Sequence, residues 1–174
     1  MPAMKRLLLL PLVVLAACSN QPTKQESLRT FAAASSAMST AQSKAVTQAR
    51  GTALTAPADL SLSFNGPCTL GGTLAVNGSY TGDGSDDHAA FDLTTSFNGC
   101  VDVGGTLDGD LHWTSTADAN GFSAAMTGNI DWSSGNDSAS CGFDLHLAVT
   151  QSSVTYGGTL CGYDVAELGL SAGH

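Results

Sequence analysis

The chain has 174 residues, room for one ordinary domain, and sets fifteen acidic against six basic side chains for a net charge of −9. The imbalance is segregated: every Lys and Arg lies at or before Arg50, and every acidic residue except Glu26 lies at or after Asp59. A domain with no Lys or Arg beyond Arg50 repels polyanions. Nucleic acid is thereby excluded as its ligand, leaving cations, basic partners or plain solubility as the role of its carboxylates.

At the start of the chain, Lys5 and Arg6 precede an apolar run from Leu7 to Leu15, then the small residues Ala16 and Ala17, then Cys18. Basic start, apolar core and small residues in that order make a secretory signal, and the run is too short to cross a bilayer as a helix. Leu15-Ala16-Ala17-Cys18 resembles the lipobox of bacterial lipoproteins, over the first eighteen residues only. The resemblance implies cleavage before Cys18, lipidation of its thiol, and acylation of the new amino terminus by a palmitate-type chain. Several acyl chains hold a protein stably where one holds it marginally. The expected partner is therefore the lipid bilayer, and the expected place the bacterial cell envelope. Ser19 stands where some such lipoproteins carry an Asp that keeps them in the inner membrane, which favours the outer membrane. The expected organisation is a signal peptide at 1–17, a lipidated tether at 18–23, a helix and linker at 24–58, and a disulfide-stapled β domain at 59–174.

From Lys24 to Arg50 the sequence is rich in Ala, Ser, Gln and Thr and free of Gly and Pro. Leu28, Phe31, Met38, Ala45, Val46 and Ala49 recur at helical spacing, so the segment predicts one weakly amphipathic helix whose thin stripe needs a sheet to pack on. Gly51 and Pro57 close it. From Leu60 the period changes to two. Runs containing Leu70–Tyr80, His88–Phe97, Val101–Trp113, Phe122–Trp132, Cys141–Val149 and Val154–Leu160 each alternate apolar with polar residues. The pattern predicts about seven or eight antiparallel strands with one buried face. Gly82-Asp83-Gly84-Ser85, Asp118-Ala119-Asn120-Gly121 and Ser134-Gly135-Asn136-Asp137 read as hairpin loops.

An internal repeat supports a meander. Ser63-Phe64-Asn65-Gly66 returns as Ser96-Phe97-Asn98-Gly99, and Leu70-Gly71-Gly72-Thr73-Leu74 as Val103-Gly104-Gly105-Thr106-Leu107 and Tyr156-Gly157-Gly158-Thr159-Leu160. Matching buried parity sets Val76 against Phe91 and Phe91 against Leu107 through an Asn98-Gly99-Cys100 loop. The row continues to Gly128, Leu145 and Gly158. Large residues and glycines share each row, which favours a mainly β fold: a curved open sheet, or an up-and-down barrel, with the helix on the concave side. The same parity pairs Cys68 with Cys100 and Cys141 with Cys161, an even number suited to an oxidising compartment.

Chemistry-bearing groups are few. Asp110-Leu111-His112 recurs as Asp144-Leu145-His146. The expected register sets His88 against Asp110, so His88, Asp108, Asp110 and His112 form one candidate cation site on the wet face. Asp83, Asp86 and Asp87 crowd a hairpin tip that suits calcium or simple turn chemistry. Trp113 and Trp132 sit on the buried parity, and with Met126 they are candidates for a pocket wall. Nucleophile elbows, phosphate loops and zinc-protease motifs are missing from the sequence. No cofactor and no enzymatic activity are expected. The expected function is that of a membrane-anchored envelope protein, structural or holding an envelope partner. The alternative is a carrier of a small ligand or divalent cation in the sheet concavity or on the His/Asp face. Replacing Cys18 by Ser is expected to move the protein from the membrane fraction to the soluble one and to abolish incorporation of labelled palmitate.

Overall fold

The computed structural model describes residues 21–53, 58–82, 88–102 and 104–170, side chains included except at 40–53 and 58. Cys18 and the Asp83, Asp86 and Asp87 group lie outside the described residues. One helix, α1 (Lys24–Ala53), precedes eight strands: β1 (Ala58–Pro67), β2 (Gly71–Gly82), β3 (Ala89–Asp102), β4 (Gly105–Asp118), β5 (Gly121–Ser134), β6 (Asp137–Thr150), β7 (Val154–Leu160) and β8 (Tyr163–Asp164). They form a single antiparallel meander in chain order, an open sheet with α1 packed on it.

Helix α1 begins where its first turn is capped reciprocally. The Thr23 backbone N–H donates to Glu26 Oε2 at 2.7 Å, and the Glu26 N–H donates to Thr23 Oγ1 at 3.3 Å. The Thr23 hydroxyl, which also donates to Glu26 Oε2 at 2.7 Å, and then the Thr23 N–H hold the Glu26 carboxyl below its ordinary range. The buried stripe is Ser27, Thr30, Ala34 and Met38, flanked by Leu28, Phe31, Ala33 and Ala37. Two of these are polar, yet Ser27 Oγ donates to the Thr23 carbonyl and Thr30 Oγ1 to the Glu26 carbonyl, both at 2.9 Å. Back-bonding of this kind lets a hydroxyl face the core without losing its partner. Small side chains bring the helix close to β1, β2, β3 and β6, where Phe31 stacks on Phe143 with ring centroids 6.4 Å apart.

The sheet buries alternate residues toward the helix, and the rows run across it. One reads Leu62, Gly78, Leu93, Trp113, Met126, Leu145, Gly158. The next reads Phe64, Val76, Thr95, Leu111, Gly128, Phe143, Leu160. Each glycine in these rows marks a place where neighbouring backbone comes too near for a side chain. At Gly128, with φ 140°, a Cβ would run into the Asp110 carbonyl oxygen. At Gly158, with φ 105°, it would run into that of Asp144. Glycine kinks of this kind coil a sheet around what lies on its inner face.

Register departs from the sequence expectation in the first half. Val76 faces Thr95, and Phe91 faces Ser115 rather than Leu107. Asn98 and Gly99 are not a loop but a bulge opposite Asp108, between the pairs Phe97–Gly109 and Cys100–Leu107, and β3 runs on to Asp102. A bulge and a hairpin use the same residues, because both need an extra, glycine-tolerant position. Gly128 faces Leu111 and Phe143 instead of Leu107 and Leu145, while Leu145–Gly158 and Phe143–Leu160 pair as parity gives.

Disulfides join Cys68 to Cys100, with Cα atoms 5.5 Å apart, and Cys141 to Cys161, 4.2 Å apart. Both lie at the end of the sheet where α1 enters. There Gln21 Nε2 donates to the Cys161 carbonyl at 3.4 Å, and Lys24 Nζ lies 3.7 Å from Glu167 and 5.5 Å from the Tyr163 ring centroid. Replacing Gly158 by Ala is expected to cost about 2–3 kcal/mol in denaturant unfolding. Gly142→Ala, whose added Cβ finds only Asn129 Oδ1 at 4.0 Å, is expected to stay within about 0.5 kcal/mol.

Candidate functional site

Helix α1 leans on β1, β2 and β3 and reaches β6 through Phe31, which leaves space above the middle of the sheet. The result is a cleft of about 450 Å³ between α1 and strands β4 to β7. Phe31, Ser35, Met38 and Ser39 line it from the helix. The sheet wall comes from two neighbouring rows: Trp113, Met126 and Leu145 in one, and Ala124, Leu147 and Tyr156 in the other. Where the small residues Ser35 and Ala124 stand, larger side chains would close the gap. A volume of this size suits a small-molecule site, which is concave, mostly apolar and has few polar groups.

The concave face stays apolar beyond the cleft. Ala117, Phe122, Val149 and Val154 continue it as a last row at the end opposite the disulfides. Phe122 is 36% and Val154 51% exposed, so the mouth of the cleft has an uncovered apolar rim. Among the described residues the lining carries no carboxylate, Lys or Arg; its polar side chains are the Ser35 and Ser39 hydroxyls and the Tyr156 phenol, while the His146 ring lies over Gly157 on the outer face. Burial raises the Tyr156 phenol above its ordinary value of 10.0.

Trp113 and Met126 are thus pocket residues, but Trp132 is not their companion. Its indole N–H donates to the Gly104 carbonyl at 2.9 Å, fastening β5 over the β3–β4 turn. It borders a separate, open hollow at the disulfide end, beside Gln21, Pro22 and Asp131.

The expected cation site does not assemble. His88 precedes Ala89, which pairs with Ala117, whereas Asp110 pairs with Ser96 in the middle of β3. The bulge at Asn98 and Gly99 is the physical reason, since β3 continues past the point at which a loop would have turned the chain. Asp108 is engaged by that bulge, accepting the Gly99 N–H at 2.6 Å. His112 Nε2 lies 2.7 Å from Asp92 Oδ1 as an exposed pair. Asp144 and His146 share the outer face, but their cross-strand neighbours are Thr127 and Thr159, and Ala125 and Gly157. Among the described residues, no group of three His, Cys, Asp or Glu side chains is placed to hold a metal.

Sequence reasoning missed Ser35, Ala124 and Tyr156 as cleft residues. Their signal was available as small helix positions opposite an aromatic-bearing row, but it needs the true register to be read. Comparison with known proteins finds no matching family model, no matching curated sequence and no matching solved structure.

The Tyr156 phenol holds its proton better in the folded chain. The stability this contributes is complete below the unfolded value near 10.0 and is lost as pH rises through the folded one. Unfolding followed against pH is therefore expected to show a decline above pH 10 that Tyr156→Phe reduces, along with loss of one late phenolate absorbance step.

Proposed function

We propose that the chain is a lipid-anchored envelope protein that carries one small, uncharged apolar ligand in the cleft between α1 and β4 to β7. The observation that supports this reading is the cleft itself: about 450 Å³ with aromatic, Met and Leu walls and an uncovered apolar rim. A protein with a purely structural role has no use for such a space, because filling it with larger side chains would add about 0.8 kcal/mol per buried methylene.

Charge limits the ligand class. No Lys or Arg follows Arg50 and none is among the described residues that line the cleft, so an acid would bring a carboxylate to a wall of uncharged side chains. A neutral ligand avoids that penalty. The hydroxyls of Ser35, Ser39 and Tyr156 suffice to orient one polar end by hydrogen bonding. The lipidated Cys18 supplies location, and the acidic outer face supplies solubility.

Titration of the Cys18→Ser chain with the neutral dye N-phenyl-1-naphthylamine is expected to give saturable fluorescence at one dye per chain, with quenching of Trp113. Ala124→Trp fills the cleft and is expected to abolish the signal while leaving the circular dichroism spectrum unchanged. Dye binding that is unsaturable, or indifferent to Ala124→Trp, would sink the carrier reading.

A further inference from the structure

We propose that the disulfide end of the sheet is a membrane-facing surface, with Leu70 at the headgroup level of a zwitterionic bilayer and the mouth of the cleft turned away from it. The proposal rests on the lipid anchor at Cys18 but not on ligand binding. The start of the described chain is fixed to the domain rather than trailing from it. Pro22 is buried, Gln21 is bonded to the Cys161 carbonyl, and Lys24 is held by Glu167 and Tyr163. Cys18 precedes Gln21 by three residues. Fully extended, those residues span at most about 11 Å. Roughly 5–8 Å of that is taken up by the headgroup layer between the hydrocarbon and water. Little slack remains, so the part of the domain beside Gln21 rests on the membrane surface.

What lies there fits that position. Cys161 and its disulfide partner Cys141, the β3–β4 turn that Trp132 fastens, and the Cys68-Thr69-Leu70 turn all sit at this end. Leu70 is 62% exposed, more than either other large exposed hydrophobic among the described residues. Its backbone N–H is bonded to the Val101 carbonyl at 3.1 Å, so the side chain is presented by a fixed turn. Asp137, Asp164 and Glu167 share this end, and their charge favours zwitterionic over anionic headgroups. Phe122 and Val154 begin β5 and β7 at the far end, which places the cleft mouth in the aqueous phase.

Hydroxyl-radical footprinting of the lipidated chain in phosphatidylcholine vesicles tests this, with the soluble Cys18→Ser chain as reference. Oxidation of Leu70 is expected to fall several-fold in the vesicles, while Phe122 and Val154 react as in solution. A floating chain whose Leu70 reacts fully, or whose Phe122 and Val154 are the protected residues, overturns the orientation and leaves the anchor standing. A chain that does not float with the vesicles overturns the anchor, and the orientation with it.

Discussion

The close approach of one strand's carbonyl to the next strand's glycine is the constraint on which the fold depends. Where Gly128 meets the Asp110 carbonyl and Gly158 meets that of Asp144, the strands come nearer than any side chain would allow. The sheet coils there, and coiling creates a concavity. A flat sheet of this length would need a broad helix layer to cover it. A coiled one accepts a single helix whose buried stripe is mostly Ser, Thr and Ala. The thinness of that stripe, a weakness in an isolated helix, is what lets α1 sit deep between β1 and β6.

Depth has a consequence at the far end. Small residues on the helix meet small residues on the sheet at Ser35 and Ala124, and neither side fills the interval. Close packing elsewhere in the core, around Leu107, Leu111, Ile130 and Leu160, makes this gap a local property rather than general looseness. The two ends of the domain therefore differ in kind. At one, two disulfides, the Trp132–Gly104 bond and the Gln21–Cys161 bond constrain the chain, each disulfide contributing about 3–4 kcal/mol by limiting the unfolded state. The other carries the apolar rim and no such staple among the described residues.

Much of this architecture was legible because parity is a strong signal. Period-two alternation set the strands, the glycines in the buried rows pointed to curvature, and the cysteine pairs Cys68–Cys100 and Cys141–Cys161 are those that parity gives. Parity cannot count residues along a strand, however. Asn98-Gly99 has the composition of a turn and acts as a bulge, and treating it as a turn displaced every pairing between β3 and β4. The disulfide at Cys100 survived that error because the bulge lies beside it and both readings leave Cys100 at the same sheet end. The cation site did not survive, because a continuous β3 leaves His88 at its start and sets Asp110 against Ser96 in its middle.

The same displacement explains why the cleft was only half visible. Trp113 and Met126 are cross-strand partners, a pairing that the true β4–β5 register creates and the expected one does not. Trp132, joined to them in the sequence reading by residue type and parity alone, is fixed by its indole hydrogen bond to the opposite end. Buried parity says that a residue faces inward; only register says which inward residues share a wall. In a meander whose strands are this long and whose outer face is so uniformly Ser, Thr, Asn and Asp, the outward residues contribute little to fixing register. It is set instead by the bulges and glycines, the positions at which side-chain pattern falls silent and backbone geometry takes over.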